Sequence, residues 1–229
     1  VRRLLSFVKP GVWEYEIEAE LMHEFLRNRS KGFAYTPIIA SGENANVLHY
    51  IANNMQCKDG DVILLDVGAE YANYSSDLTR MIPVNGKFTA RQKEIYNAVL
   101  DMKNFATSLL VPGNNWYDYH KECGEFYTSK FLELGLLDKA DVQNQDKNWP
   151  AYKKYMMHGT SHHLGLDTHD YGILKDKFVE NMVFTVEPGI YLPAEGFGVR
   201  IEDDVVIQNS GPAFNLMKNI PIEVEEIEE

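Results

Sequence analysis

Five side chains of metal-ligand type define this sequence: Asp66, Asp77, His162, Glu187 and Glu202. Four are carboxylates, and they fall in two segments of similar pattern. The first reads VILLDVGAEYANYSSDLTRMIPV, residues 62–84, and the second MVFTVEPGIYLPAEGFGVRIEDDVVI, residues 182–207. Each has an apolar, β-rich run with one carboxylate, a glycine-containing stretch, and a second strand-like run with another carboxylate, the pattern of a hairpin. A turn near Tyr71–Ala72 predicts Asp66 opposite Asp77, and one near Ala194–Glu195 predicts Glu187 opposite Glu202. Opposed residues on paired strands have Cβ atoms about 5 Å apart, so like charges there repel. Carboxylates crowded into apolar strands need a compensating charge, and a pair of divalent cations is the simplest one. Tyr71–Ala72 is poor chemistry for a two-residue turn, so a bulge or longer loop would shift the first register by a residue or two. Oxygen ligands with one imidazole favour manganese-like or zinc-like ions over thiolate-seeking metals.

The stretch HGTSHHLGLDTHD, residues 158–170, is the second source of chemistry. The spacing of His158 and His162 puts both on one face of either a helix or a strand, and His169 follows closely. Gly159 and Gly165 allow close backbone approach. His163 points away from His162 by alternation, and His23 and His120 sit on presumed surface helices.

These residues need elements to position them. Ile17, Leu21, Phe25 and Leu26 recur at helical spacing and predict a helix over residues 13–28. Residues 36–50 begin as a strand and become a Gly/Asn-rich loop that ends at His49. Lys58–Asp59–Gly60–Asp61 is a turn. Thr89 can cap a helix that ends before Pro112–Gly113. A further helix is predicted over 117–135, stopping at Gly135, and residues 136–154 read as an irregular insertion. The order suggests an internal repeat. Val111–Pro112–Gly113 before one helix echoes Lys9–Pro10–Gly11 before another, and the second acidic hairpin echoes the first, with Asp66 aligning on Glu187.

A chain of 229 residues, 45% hydrophobic and 24% charged, can build a large core. A net charge of −12 without a basic stripe argues against nucleic acid as a partner. The acidic tail EVEEIEE reads as a solvated terminus. No apolar stretch approaches membrane-spanning length, and no signal peptide is visible. Cys57 and Cys123 are far apart and form no metal-ligand pair, which suits a reducing, cytoplasmic location. The opening VRRLLSFV resembles a helix joined partway, which predicts a domain cut from a longer protein.

Taken together, these motifs resemble the metallopeptidases of pita-bread fold, among them methionine aminopeptidase, X-Pro aminopeptidase (aminopeptidase P) and X-Pro dipeptidase (prolidase). HGTSHHLGLDTHD is most similar to the aminopeptidase P histidine motif. TVEPGIY and GVRIEDDVV resemble its glutamate motifs, and ASGENANVLHY and LLDVGAEYANYSSDLTR its substrate-loop and aspartate motifs. The resemblance implies an α+β fold of two pseudo-symmetric halves around a curved antiparallel sheet. It implies one catalytic domain over residues 1–229, without the amino-terminal domain that mediates homo-oligomer assembly in such relatives. It also implies two divalent ions per chain, Mn²⁺ first, with Zn²⁺ or Co²⁺ as alternatives. Asp66 would bind one ion, Asp77 and Glu202 would bridge both, and His162 and Glu187 would complete the other site. A metal-bridging water or hydroxide would attack the bond before proline in peptides with proline in second position, with Glu187 passing the proton to the leaving nitrogen. His49, His158 and His169 match the outer histidines that contact substrate and oxyanion. Arg200 would orient a carboxylate or contact substrate, and Tyr191 would wall the pocket near the proline ring.

Three readings compete. A prolidase would cut only dipeptides, and the Thr160–Ser161 pair leans away from it. Methionine aminopeptidase shares the five ligands but lacks the HxxxH…H pattern. A non-catalytic peptide- or protein-binding module of this fold, like a metal-free amidinohydrolase, would have lost the ligands that are intact here.

Overall fold

The computed structural model describes residues 1–229. In chain order the elements of the first half are α1 (Arg2–Phe7), α2 (Glu14–Arg27), β1 (Gly32–Phe33), β2 (Ile38–Ser41), β3 (Val62–Asp66), β4 (Ala69–Tyr71), β5 (Tyr74–Ser75) and β6 (Thr79–Pro83). The second half has α3 (Ala90–Ser108), α4 (Trp116–Glu133), α5 (Lys139–Gln143), β7 (Val183–Val186), β8 (Gly189–Leu192), β9 (Phe197–Arg200), β10 (Asp203–Val206), β11 (Phe214–Asn215) and α6 (Val224–Glu228). All strand pairings are antiparallel.

Strand β3 lies between β2 and β6 and is buried on both faces, which explains its unbroken apolar run. Ile63 and Leu65 pack with Ile17 and Leu21 of α2 in one core, while Val62 and Leu64 join the larger core under α3 and α4. The pleat therefore aims Asp66, two residues beyond Leu64, towards the second half. Helix α3 starts where expected: Thr89 accepts from Gln92 N–H and Gln92 returns a bond to Thr89 N–H. Helix α4 is capped by Asn115 and followed by Gly135 at φ 67°. The insertion at 136–154 is less irregular than its composition predicts, because Asp138 caps the short α5.

The halves echo one another in hydrogen bonding. Gly11 N–H donates to Cys57 C=O and Cys57 N–H to Val12 C=O; Gly113 N–H donates to Phe178 C=O and Phe178 N–H to Asn114 C=O. Trp13 bridges to Gln56 as Asn115 does to Lys177. Each Gly sits before a helix and each partner before an acidic hairpin, so the faint repeat in sequence is a repeat in geometry. No helix is long and apolar enough to cross a membrane.

Candidate functional site

The first hairpin departs from the expected register. Its turn is Ala72–Asn73, with φ 53° and 71°, so Tyr71 faces Tyr74 and Asp66 faces Thr79 rather than Asp77. A primed turn with both central residues at positive φ matches strand twist, and Asn73 suits it better than the Tyr71–Ala72 alternative. Asp77 stays on the face of Thr79 and is reached through a residue that spacing did not reveal. The Tyr35 hydroxyl lies 2.6 Å from Asp66 Oδ1 and 2.5 Å from Asp77 Oδ1. It carries one proton for two carboxylates. Nothing in local periodicity marks Tyr35; it precedes β2 and meets the aspartates only in the fold. The second hairpin keeps the expected register. Val186 pairs with Asp203 and Gly189 with Arg200, which leaves Glu187 opposite Glu202 between them.

The ligand-type groups converge on one cavity of about 580 Å³. Asp77, His162 and Glu202 each place a donor atom within 4.8 Å of the others. His162 Nε2 is 3.5 Å from Asp77 Oδ2 and 3.4 Å from Glu187 Oε1. Asp66 borders the group through Tyr35, and Arg200 Nη2 donates to its other oxygen at 2.6 Å. Thr79 Oγ1 donates to Glu202 at 2.7 Å, Thr185 Oγ1 to Glu187 at 3.3 Å. His162 Nδ1 meets the His163 carbonyl at 2.9 Å, which leaves Nε2 free to serve as a ligand. Asp77 N–H donates to buried Asp204. Behind Glu202, Asp203 is held by Arg80 at 2.6 Å and Lys103 at 2.5 Å, all three buried. Arg80 also donates to the Glu202 and Pro221 carbonyls, tying the link between β9 and β10 to the tail.

The electrostatics show how unfavourable this cluster is by itself. Burial pushes Glu187 up to about 7. Burial and the charges of Asp77, Glu187 and Asp66 push Glu202 well above the usual carboxylate range. Burial raises Asp66 as well, against the opposing pull of Arg200. Burial disfavours the His162 cation, but the Asp77 hydrogen bond and the Glu187 charge outweigh it and carry His162 up to about 9. Four carboxylates and one imidazole in this arrangement fit hard or borderline divalent cations, whose charge would offset the burial that raises Asp66, Glu187 and Glu202.

His49, His158 and His169 all reach the cavity, as does Arg200. The His169 ring centroid is 4.4 Å from that of His162, in a T-shaped arrangement. His158 is more constrained than expected for a substrate donor. Its Nδ1 meets the Gly159 carbonyl and its Nε2 the Tyr191 hydroxyl, both at 2.7 Å, so both nitrogens are engaged. Burial, with the Arg200 charge, lowers it to about 3 and keeps it neutral. Tyr191 does not wall the cavity. It is 1% exposed and sits behind the site, accepting from Arg200 Nη1 at 2.8 Å and meeting His158. The expected pocket-wall position is therefore corrected: an aromatic residue in a strand can equally serve core packing, and its burial shows that it does so here. Leu48 and Ile51 supply apolar wall beside His49, which sequence periodicity did not mark. His163 packs against Phe184 and Trp116, away from the site. His120 is half-buried on Trp116 rather than free on a helix surface, and it lies outside the cavity.

Residues 1–209 match metallopeptidase family M24. The Xaa-Pro aminopeptidase of Haemophilus influenzae is 41% identical over 238 aligned positions, which cover 99% of this chain and 55% of that protein. The Xaa-Pro dipeptidase of Mus musculus is 36% identical, with 99% of this chain and 55% of that protein covered. Zinc-substituted aminopeptidase P of E. coli in complex with product superposes with a TM-score of 0.89 at 39% identity, covering 98% of this chain and 53% of that one. The chain spans about half the length of the curated relatives it matches. The shared architecture is the pita-bread fold.

Proposed function

The chain belongs to metallopeptidase family M24, and we propose that it carries the catalytic centre of an X-Pro aminopeptidase, which releases the N-terminal residue from peptides with proline in second position. The observation that carries this reading is the convergence of Asp66, Asp77, His162, Glu187 and Glu202 on one cavity bordered by His49 and His169. Those five residues would hold two divalent cations, Mn²⁺ in the first instance. The zinc-substituted relative supports a centre that accepts more than one such ion. When bound, the cations supply Lewis acidity towards the scissile carbonyl and make a water acidic enough to serve as nucleophile near neutral pH.

The residues of the chain do the rest. Glu187, whose carboxylate borders both the cation site and the cavity, takes a proton from the attacking water and delivers it to the proline nitrogen, which cannot leave as an anion. His169 and His49 donate to the substrate carbonyl region, where negative charge develops. The relay from Arg200 through the Tyr191 hydroxyl to His158 Nε2 fixes the His158 ring against the cavity. Arg200 also holds Asp66 in one orientation. Leu48 and Ile51 give apolar surface to a side chain or proline ring.

The test is a cleavage panel with Mn²⁺-loaded protein: X-Pro dipeptides, X-Pro tripeptides and longer X-Pro peptides, with free N-terminal residue measured by mass spectrometry. Release from tripeptides and longer peptides is expected. Release from dipeptides alone would assign an X-Pro dipeptidase, the activity named for the mouse relative. Binding of X-Pro peptides without release of any residue would leave a non-catalytic binding module.

A further inference from the structure

The loop that brings His49 to the cavity has little secondary structure of its own. Residues 47–55 follow a 3-10 turn at Gly42–Asn46 and contain no helix or strand. They nevertheless place Leu48, His49 and Ile51 on the cavity wall. The loop is held from behind by a carboxylate. Glu14, the first residue of α2, is 0% exposed and forms no ion pair. Its Oε1 accepts from Ser41 N–H at 2.8 Å, the Ser41 hydroxyl at 2.7 Å and the Asn44 amide at 3.1 Å. Its Oε2 accepts from the Tyr50 hydroxyl at 2.8 Å and Met55 N–H at 2.9 Å.

Every donor belongs to residues 41–55, and they flank His49 on both sides; Tyr50 is its immediate neighbour. A second tie lies one helical turn along the same face of α2. Asn53, at φ 45°, donates to Glu18 Oε2 and to the Pro37 carbonyl, both at 3.0 Å, and accepts from Ile39 N–H. A buried carboxylate without a countercharge is tolerated only when hydrogen bonds replace its hydration. Here that replacement fixes the conformation of a loop that would otherwise be free to move.

We propose that Glu14 is a positioning residue for substrate: it holds His49, with Leu48 and Ile51, against the bound peptide and takes no part in holding metal. The proposal rests on the reading of His49 as a substrate contact. A glutamine at position 14 has the same shape but must turn its NH₂ towards one of the two donor sets. Either choice sets it against a backbone N–H, of Ser41 or of Met55, and neither N–H can reverse its role.

The test is a double-mutant cycle of Glu14→Gln and His49→Ala, read as kcat/KM on an X-Pro tripeptide at saturating Mn²⁺. Mn²⁺ affinity and amide hydrogen exchange over residues 47–55 are measured on the same proteins. Misplacing a contact group costs on the order of ten- to a hundredfold in kcat/KM, so Glu14→Gln is expected to show a loss of that scale, with Mn²⁺ affinity unchanged and exchange over 47–55 accelerated. In the His49→Ala background the same substitution should cost clearly less, since the group it misplaces is gone. Fully additive losses, or a fall in Mn²⁺ affinity that accounts for the lost turnover, would overturn the proposal. Tyr50→Phe removes one donor of the five and carries the same cycle if the glutamine variant does not fold. Failure of the unsubstituted chain to cleave X-Pro peptides would refute the functional reading; unaltered exchange over 47–55 in Glu14→Gln would refute the positioning role by itself.

Discussion

Chelation should make this protein lose stability as pH rises, and the loss can be sized from two residues. Without a cation, burial holds Glu187 at about 7 in place of 4.5. A carboxyl whose pKa is higher folded than unfolded favours the folded state while it is protonated. Its contribution is complete below about 4.5 and is lost as pH rises through about 7. At about 1.36 kcal/mol per pH unit, that rise corresponds to about 3 kcal/mol. His162 follows the same sign: carried from 6.5 to about 9, it stabilises fully below 6.5 and loses that contribution as pH rises through 9. Glu187 and His162 face each other at 3.4 Å and share one attraction, so the two contributions do not simply add. A loss of about 3 kcal/mol between pH 5 and pH 7.5 is expected, or roughly 6–12 °C in Tm for a chain of this length. Saturating Mn²⁺ should reverse the trend, because ligation requires the deprotonated groups and stabilises by linkage. Thermal melts across this pH range, with chelator and with Mn²⁺, provide the assay. A chelated protein equally stable at pH 5 and 7.5, or a gap to the loaded protein that does not widen with pH, would refute the reasoning.

Further predictions concern single sites. Elemental analysis after Mn²⁺ loading should find two ions per chain; a value near zero with all five ligands intact would sink the dinuclear assignment. Glu187→Gln should lower turnover by about 10²–10⁴-fold, far more than His169→Ala, in steady-state kinetics at saturating metal; near-normal turnover would exclude the proton-transfer role. Asp203→Asn leaves Arg80 and Lys103 buried without their countercharge, and should cost about 3–5 kcal/mol in urea unfolding. Arg80 and Lys103 outweigh burial and hold the Asp203 carboxyl below its ordinary value. Its contribution is therefore present above about 4 and disappears on acidification, which the Asn variant should no longer show. A Cβ on Gly68 would overlap the Ser76 carbonyl and crowd the Tyr35 ring, so Gly68→Ala should destabilise by about 1–3 kcal/mol and weaken Mn²⁺ binding through Asp77, as titration calorimetry would show.

Much of this arrangement is legible in the sequence because it follows from short-range rules. Thr89 and Gln92 announce α3, Gly135 ends α4, and the alternation around Pro193–Glu195 sets Glu187 across from Glu202. The first hairpin escaped by one residue because Ala72 adopts a left-handed conformation that alanine seldom takes, and no local pattern advertises it. Tyr35 and Glu14 escaped for a different reason. Their partners lie 27 or more residues away in the chain, so the bonds exist only once α2, β2 and the first acidic hairpin have packed together. Tyr191 fits a strand pattern whether it faces cavity or core, and only its burial in the folded chain reveals which.

The carboxylates of the two hairpins meet across the seam between the repeated halves. Asp77 N–H bonds Asp204, Thr79 bonds Glu202, and Arg200 bonds Asp66, each pair joining one half to the other. A cation shared by Asp77 and Glu202 would therefore act as a reversible cross-link, stitching distant parts of the chain much as a disulfide does. Its strength would be set by free metal and acidity instead of redox potential, and the two buried cysteines, which form no disulfide, leave that role open.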